Sequence, residues 1–172
     1  MTDQFIYIRY DGADKLKGIT SFLEKNHSLF DEMEVSSSSI YMSQPPINVF
    51  YPDDTVFTTN LEDDPWIQIS FINKKLYLKN YAIKVITGSI TANHFPKKWI
   101  IRGSNDNITW KIIDRKNVNI FQEKGQIEIF DCDKPSAYQH IQMVLAGLSS
   151  SSEYRLRFQQ MELFGTTTKE CL

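Results

Sequence analysis

The sequence predicts an all-β fold, an antiparallel β-sandwich preceded by a short strand and helix, on three observations. Short apolar or alternating segments recur at close intervals, separated by clusters of Asn, Asp, Gly, Pro and Ser. Beyond residue 33 no long helical period intervenes, which argues against a βαβ sheet. The third observation is a hairpin at residues 96–113. Trp99, Ile100 and Ile101 form an apolar run, and Gly103, Ser104, Asn105, Asp106 and Asn107 accept positive φ or bond their own backbone. The strand pattern resumes from Ile108 to Ile113. Trp99 and Trp110 mark the bases of this hairpin, as core residues or cross-strand clamps.

From the amino terminus, residues 5–10 alternate roughly between apolar and polar, as a half-buried strand does. The period then changes. Leu16, Ile19, Phe22 and Leu23 fall at helical spacing, with Asp11 and Asp14 near the start and Asn26-His27 at the end, so residues 13–26 read as an amphipathic helix. Residues 34–46 are poor in apolar side chains, with serines from Ser36 to Ser39 and then Pro45-Pro46, and read as the lead-in to a second unit. The expected organisation is an appendage at 1–33, a sandwich at 34–166 and a tail at 167–172. Within the sandwich, strands are predicted at 66–71, 75–78, 81–87, 98–103, 109–114, 126–130, 140–146 and 155–164. In the first of them Ile67, Ile69 and Phe71 alternate with Trp66, Gln68 and Ser70, which sets one face apart for the core.

Composition narrows function by exclusion. A chain of 172 residues with 41% apolar and 13% aromatic content supports a sizeable core and is not that of a disordered protein. Nineteen basic and twenty-one acidic residues are interspersed along it, so it lacks the basic footprint that nucleic-acid binding needs. No run approaches the roughly 20 apolar residues of a membrane span, and the first residues lack the apolar centre of a signal peptide. The expectation is a cytoplasmic protein with no membrane insertion. Cys132 and Cys171 are too few for a disulfide framework and have no zinc spacing, so both read as reduced thiols. With three histidines, no nucleophile motif and no phosphate-cradling glycine loop, the chain reads as a binding module and not an enzyme.

Five segments in order and spacing carry a resemblance. They are Trp-Ile-Gln-Ile-Ser-Phe at 66–71, Tyr81-Ala82-Ile83, the stretch from Pro96 to Asp106 followed by Trp110, Tyr138-Gln139-His140-Ile141, and the closing Met161-Glu162-Leu163-Phe164-Gly165. Together they resemble the discoidin domain, also called the coagulation factor 5/8 type C domain, over residues 34–166. The resemblance implies the galactose-binding-like jelly-roll sandwich, a fold that is rarely catalytic and hosts many binding functions. It also implies a ligand face built from loops at one end. Candidates there are Asn48 and Tyr51 in the first loop, Asn93, His94 and Phe95 before the hairpin, and Tyr154 with Arg155 after the serines at 149–152. Forked donors suit sugar hydroxyls, and an aromatic ring suits the sugar's C–H face. The alternative is that His94 and Phe95 cap the barrel end and Tyr154 is a half-buried strand starter.

Many sugar-binding relatives hold a structural calcium. Here Asp53, Asp54 and Thr58 fall in a stretch resembling the calcium loop, and Gln160 matches the last-strand carboxylate, with Glu162 two residues on and on the same face. Calcium takes several oxygen ligands and an amide contributes less than a carboxylate, so a solvated turn after Pro52 is the competing reading. The amino-terminal residues resemble the lead-in of intracellular, protist-type members. That likeness implies a protein-interaction or scaffold module in a larger assembly of the cytoskeletal or ciliary kind. The alternative is a carbohydrate-binding, lectin-like module whose partner is a glycan. Asp53, Asp54, Glu62, Asp63 and Asp64 argue against docking on an anionic bilayer.

Overall fold

In the computed structural model, which describes residues 5–88 and 93–169, two five-stranded antiparallel sheets enclose one apolar core. Cys171 and the end of the expected tail lie outside the described residues. In chain order the strands are β1 (Tyr7–Ile8), β2 (Met33–Ser37), β3 (Phe57–Thr58), β4 (Trp66–Phe71), β5 (Lys74–Lys84) and β6 (Lys98–Ser104). They continue as β7 (Lys111–Asn117), β8 (Ile127–Asp131), β9 (Ala137–Tyr138), β10 (His140–Leu145), β11 (Arg157–Phe158) and β12 (Gln160–Lys169). Helices α1 (Ile19–Lys25) and α2 (Leu29–Glu32) precede β2, and a 3-10 turn spans Pro46–Phe50. One sheet has the order β1-β12-β5-β8, with β9 also on β5; the other is β2-β4-β10-β6-β7; β3 and β11 pair as a short ribbon.

Ile67, Ile69 and Phe71 of β4 are buried in the core as expected, while Gln68 between them is also buried and accepts a bond from Gln142 Nε2 at 2.9 Å. Trp99 is a core residue with no exposure, edge-on to Phe130 at 5.1 Å between ring centroids. Its indole Nε1–H donates to the Tyr81 hydroxyl at 2.8 Å, and that hydroxyl donates to Asp114 Oδ2 at 2.6 Å. Burial and the Asp114 carboxylate hold the Tyr81 pKa well above the ordinary phenol value. Lys116 completes the network by donating to Asp114 Oδ1 at 2.6 Å, so the buried carboxylate has both oxygens paired. Trp110 does not reach the core and lies half-buried, with the Arg102 guanidinium 4.9 Å from its ring centre.

Several boundaries differ from the sequence expectation. The strands predicted at 75–78 and 81–87 are one strand, β5. The break read at Lys79-Asn80 is a bulge, because Asn80 pairs with Phe164 and Leu78 with Gly165, which leaves Lys79 as the extra residue. The last predicted strand divides into β11 and β12. The helix predicted at 13–26 begins only at Ile19. Asp11 Oδ1 accepts the Ala13 N–H and Asp14 Oδ1 accepts the Leu16 N–H, so these two carboxylates turn the preceding chain on itself. Ile6, Ile19 and Leu23 from this segment join the same core cluster as the sandwich residues, and β1 pairs with β12.

The turn of the predicted hairpin is built by Asp106. Its Oδ1 accepts the N–H of Ile108 at 2.9 Å and of Thr109 at 2.7 Å, and the Ser104 hydroxyl at 2.9 Å. Asn107 beside it takes φ 59°, the left-handed region that asparagine tolerates.

Candidate functional site

Strand register defines one end of the sandwich. Ser37 pairs with Ile67, Trp66 with Val144, Leu145 with Trp99, Lys98 with Asn117 and Lys84 with Ile127. The loops at 38–65, 118–126 and 146–156 leave from these positions, as do the segments 85–88 and 93–97. Three of them contain every residue expected to bind a ligand.

The serine loop closes on residues 93–95. Phe95 N–H donates to Ser150 Oγ at 2.8 Å, Ser150 N–H returns a bond to the Phe95 carbonyl at 2.9 Å, and His94 N–H donates to Ser151 Oγ at 3.0 Å. His94 at φ 50° and Ser152 at φ 58° adopt the left-handed conformation, sparsely populated for residues with a side chain. The His94 imidazole is buried, with Nδ1 at 3.3 Å from Ser149 Oγ and Nε2 at 3.5 Å from Glu153 Oε2. Burial lowers its pKa, Arg155 and Arg157 push the same way, and Glu153 opposes them. Its contacts are with the serine loop, as the capping alternative requires.

Beside these loops lies a depression of about 560 Å³. Asn93, Asn119, Gln122, Ser150 and Ser151 line it, together with the buried Phe95 and Phe121, whose ring centroids are 6.5 Å apart. Asn119, Phe121 and Gln122 were not among the expected site residues. Their segment, Asn117 to Gly125, reads as an ordinary polar turn; its one signal is the aromatic Phe121 among turn residues.

A second cluster lies around Arg155. Its guanidinium centre sits 4.1 Å from the centre of the Tyr41 ring. Tyr41 N–H donates to the Thr58 carbonyl, Thr58 N–H donates to the Gln44 carbonyl, and Thr58 pairs with Arg157 across β3 and β11. Among the described residues, Gln44 Oε1, Thr58 Oγ1, Asn93 Oδ1 and Arg155 Nε are buried polar atoms with no hydrogen-bond partner. All four belong to residues on this end of the sandwich. Buried polar groups are nearly always satisfied, so their concentration in one place is informative.

The other expected residues are placed differently. Asn48 Nδ2 donates to the Val56 carbonyl at 2.8 Å and pins the first loop. Tyr51 lines a separate hollow of about 180 Å³ with Glu24, His27, Leu29 and Phe30, against α1 and α2. Tyr154 is 42% exposed, and its carbonyl accepts the Glu62 N–H.

The expected calcium set is not brought together. Asp53 Oδ1 accepts the N–H and hydroxyl of Thr55, and these bonds lower its pKa. Asp54 Oδ1 and the Asp53 carbonyl both receive Nε2 of Gln159, at 3.2 and 2.8 Å. Thr58 is fully buried, Gln160 pairs with Lys84 in the sheet, and the Glu162 carboxylate is committed to α1. Among the described residues no group of three or more His, Cys, Asp or Glu side chains could hold a metal ion. These residues do not fit calcium.

No family model matches the chain, and no curated protein matches it. Solved structures do. The domain CpGH89CBM32-5 from Clostridium perfringens, in complex with GalNAc-β-1,3-galactose, is similar at TM-score 0.62 and 11% identity, over 77% of this chain and 95% of that one. The family 32 CBM of C. perfringens NanJ, in complex with galactose, is similar at TM-score 0.60 and 13% identity, over 80% and 95%. The CBM32-1 and CBM32-2 domains of C. perfringens ZmpB are similar at TM-score 0.65 and 11% identity, over 94% of this chain and 40% of that one. The fold is thus the discoidin-like, galactose-binding-like β-sandwich that the sequence segments resemble.

Proposed function

We propose that this chain is a non-catalytic carbohydrate-binding module whose ligand seats on the loop segments at 38–65, 93–97, 118–126 and 146–156. The observation that carries the reading is the concentration of unpartnered buried polar atoms at this end, Asn93 Oδ1 and Arg155 Nε among them, beside a polar depression backed by Phe95 and Phe121. A sugar supplies both donors and acceptors for polar groups gathered in this way. Similar folds in complex with galactose and GalNAc-β-1,3-galactose support the same reading.

This reading takes precedence over the protein-scaffold reading that the amino-terminal resemblance suggested. The large apolar side chains exposed near the amino terminus, Phe5, Tyr7 and Phe30, are the feature on which such a scaffold partner would rest. Phe5 and Tyr7 lie in and beside β1, Phe30 shares a hollow with Tyr51, and Ile40, Met42, Leu61 and Leu148 are exposed on the loop end itself, so the precedence rests on the polar groups there and on the similar folds in complex with sugars. Binding of the purified chain to an array of immobilised glycans is the test. Capture of galactose- or N-acetylgalactosamine-terminated glycans, reduced about tenfold or more by Asn93→Ala, is expected, the cost of a hydrogen bond to ligand. An array with no signal above background contradicts the proposal.

A further inference from the structure

We propose that the outer face of the sheet β2-β4-β10-β6-β7 is a docking surface for an acidic protein segment, with Arg102 as its anchor. The face lies outside the loops given to sugar, and the inference does not rest on the carbohydrate reading.

In this sheet the core residues Ile67, Ile69, Ile141, Met143, Trp99 and Ile101 alternate with residues on the outer face. One row across that face runs Ser36, Gln68, Gln142, Arg102 and Ile112, each paired with the next. Amides on an outer sheet face are ordinarily wet, yet Gln68 and Gln142 are only 6% and 3% exposed. They hold Arg102. Its Nε–H donates to Gln142 Oε1 at 2.7 Å, and Gln142 Nε2 donates to Gln68 Oε1 at 2.9 Å. Gln68 Nε2 in turn donates to Ser70 Oγ and Asn107 Oδ1, both at 3.1 Å. The Trp110 ring centre lies 4.9 Å from the guanidinium. The Nε bond and the ring together fix the guanidinium, and its terminal N–H donors are left for a carboxylate, which they match in pairs.

Charge and apolar surface on the same face set the partner's chemistry. Lys98 and Arg115 are exposed there, and among the described residues neither they nor Arg102 forms an ion pair. Of the carboxylates, Asp64 acts on Arg102 without pairing with it, Asp106 is bound into its turn, and Glu34 stands at the far edge on β2, opposite Ser70. Among the cations lie the half-buried Trp66, Ile100 and Trp110 and the exposed Ile112. Trp and Arg are the residues on which protein interfaces most often depend, so the fitting partner is a protein segment that carries acids among apolar residues. Charges on the edge strand β7 also guard it against stray pairing, but Arg102 and the two glutamines lie on interior strands, which need no such guard.

The test is amide chemical-shift mapping of the isotope-labelled full chain, titrated with a short synthetic peptide of Asp and Glu interspersed with Leu and Phe. Its counterpart carries Lys in place of every acid. The chain has a net charge of −2, so a preference for the acidic peptide must come from a local surface. That peptide is expected to bind about tenfold or more tightly than the basic one, the scale of a charge-assisted hydrogen bond. Saturable shifts are expected at Trp66, Gln68, Ile100, Arg102, Trp110 and Gln142. Arg102→Gln removes the margin. Gln142→Leu, which keeps the charge but removes the acceptor that orients it, reduces the margin in part. Lys25→Gln, which removes an exposed charge on α1, leaves it unchanged, and thermal melting verifies that all three variants fold. Equal binding of the two peptides, shifts centred on another face, or no saturable shifts overturns the inference and leaves the carbohydrate reading standing. A loss with Lys25→Gln as large as with Arg102→Gln also overturns it, as attraction to charge without a docking surface.

Discussion

The carboxylate of Glu162, buried in the middle of β12, accepts the backbone N–H of Thr20 at 2.8 Å and the Thr20 hydroxyl as well. It also receives the N–H of Ser21 at 3.0 Å and of Leu163 at 2.8 Å. The first turn of α1 has no side-chain cap of its own, because Gly18 occupies the N-cap position, and a strand residue 142 positions away supplies one. Gly18 permits the approach: a Cβ there would lie 2.3 Å from the Leu163 carbonyl oxygen. Removing the carboxylate strands several buried donors, so Glu162→Ala is expected to cost about 3 kcal/mol of stability in urea unfolding, and Glu162→Gln less. An unchanged midpoint for both variants contradicts this account of how the amino-terminal helix is held.

Gly165 sits at the bulge opposite Lys79 with φ 157°, and a Cβ built on it would lie 1.9 Å from the Tyr77 carbonyl oxygen. Gly165→Ala must therefore displace β5 or flatten the bulge. The expected loss is about 1–3 kcal/mol by thermal or urea unfolding, the cost of overpacking at a site that cannot relax freely. A neutral substitution would show that the bulge is not fixed.

Protonation of His94 opposes folding. Its pKa is lowered in the folded chain by burial, with Arg155 and Arg157 contributing. The stability it contributes is fully present above the unfolded value of about 6.5 and is lost as pH falls through the lower folded value. Urea midpoints measured from pH 7.5 down to pH 5 should fall more steeply for the natural chain than for His94→Gln. Both proteins carry His27 and His140, so the difference reports His94 alone. Parallel curves would contradict the placement of a neutral imidazole among Ser149, Ser151 and Glu153.

Cys132 is 8% exposed, and burial, reinforced by the Asp114 carboxylate, pushes its thiol up to about 12. The thiolate is the reactive form, so native Cys132 should resist aromatic disulfide reagents at pH 8 and react promptly once urea unfolds the chain. The measurement uses Cys171→Ser protein, which removes the other thiol. Rapid labelling of the native protein would contradict the buried placement.

The frame of this fold was legible where burial and backbone period agree. The apolar residues of β4 all turn to the core, and the hairpin turn around Asp106 uses residues whose side chains bond their own backbone. The start of α1 was not legible, because Leu16 sits at helical spacing although Asp11 and Asp14 turn the chain before it. The bulge at Lys79 looked like a strand break, since a polar pair inside a strand and a polar pair in a turn are alike in one dimension. At the site, the resemblance put residues 93–95 and the loop after the serines at one end, but the bonds between Phe95 and Ser150 and between His94 and Ser151 were not anticipated. Nor were the roles of Gln159 and Glu162, because a hydrogen bond to a distant helix or turn leaves no periodic trace. Tyr41 and Gln44 were hidden for the same reason: they meet Arg155 and Thr58 only after the first loop folds back on the ribbon of β3 and β11.

The most direct test of the proposed site is titration of isotope-labelled protein with galactose and N-acetylgalactosamine, followed by amide chemical-shift mapping. The account predicts saturable shifts confined to residues 41–44, 93–95, 119–122 and 150–157, with the core strands unmoved and Asn93→Ala weakening the response. Shifts centred on the amino-terminal segment or an outer sheet face, or no saturable shifts with either sugar, would contradict it.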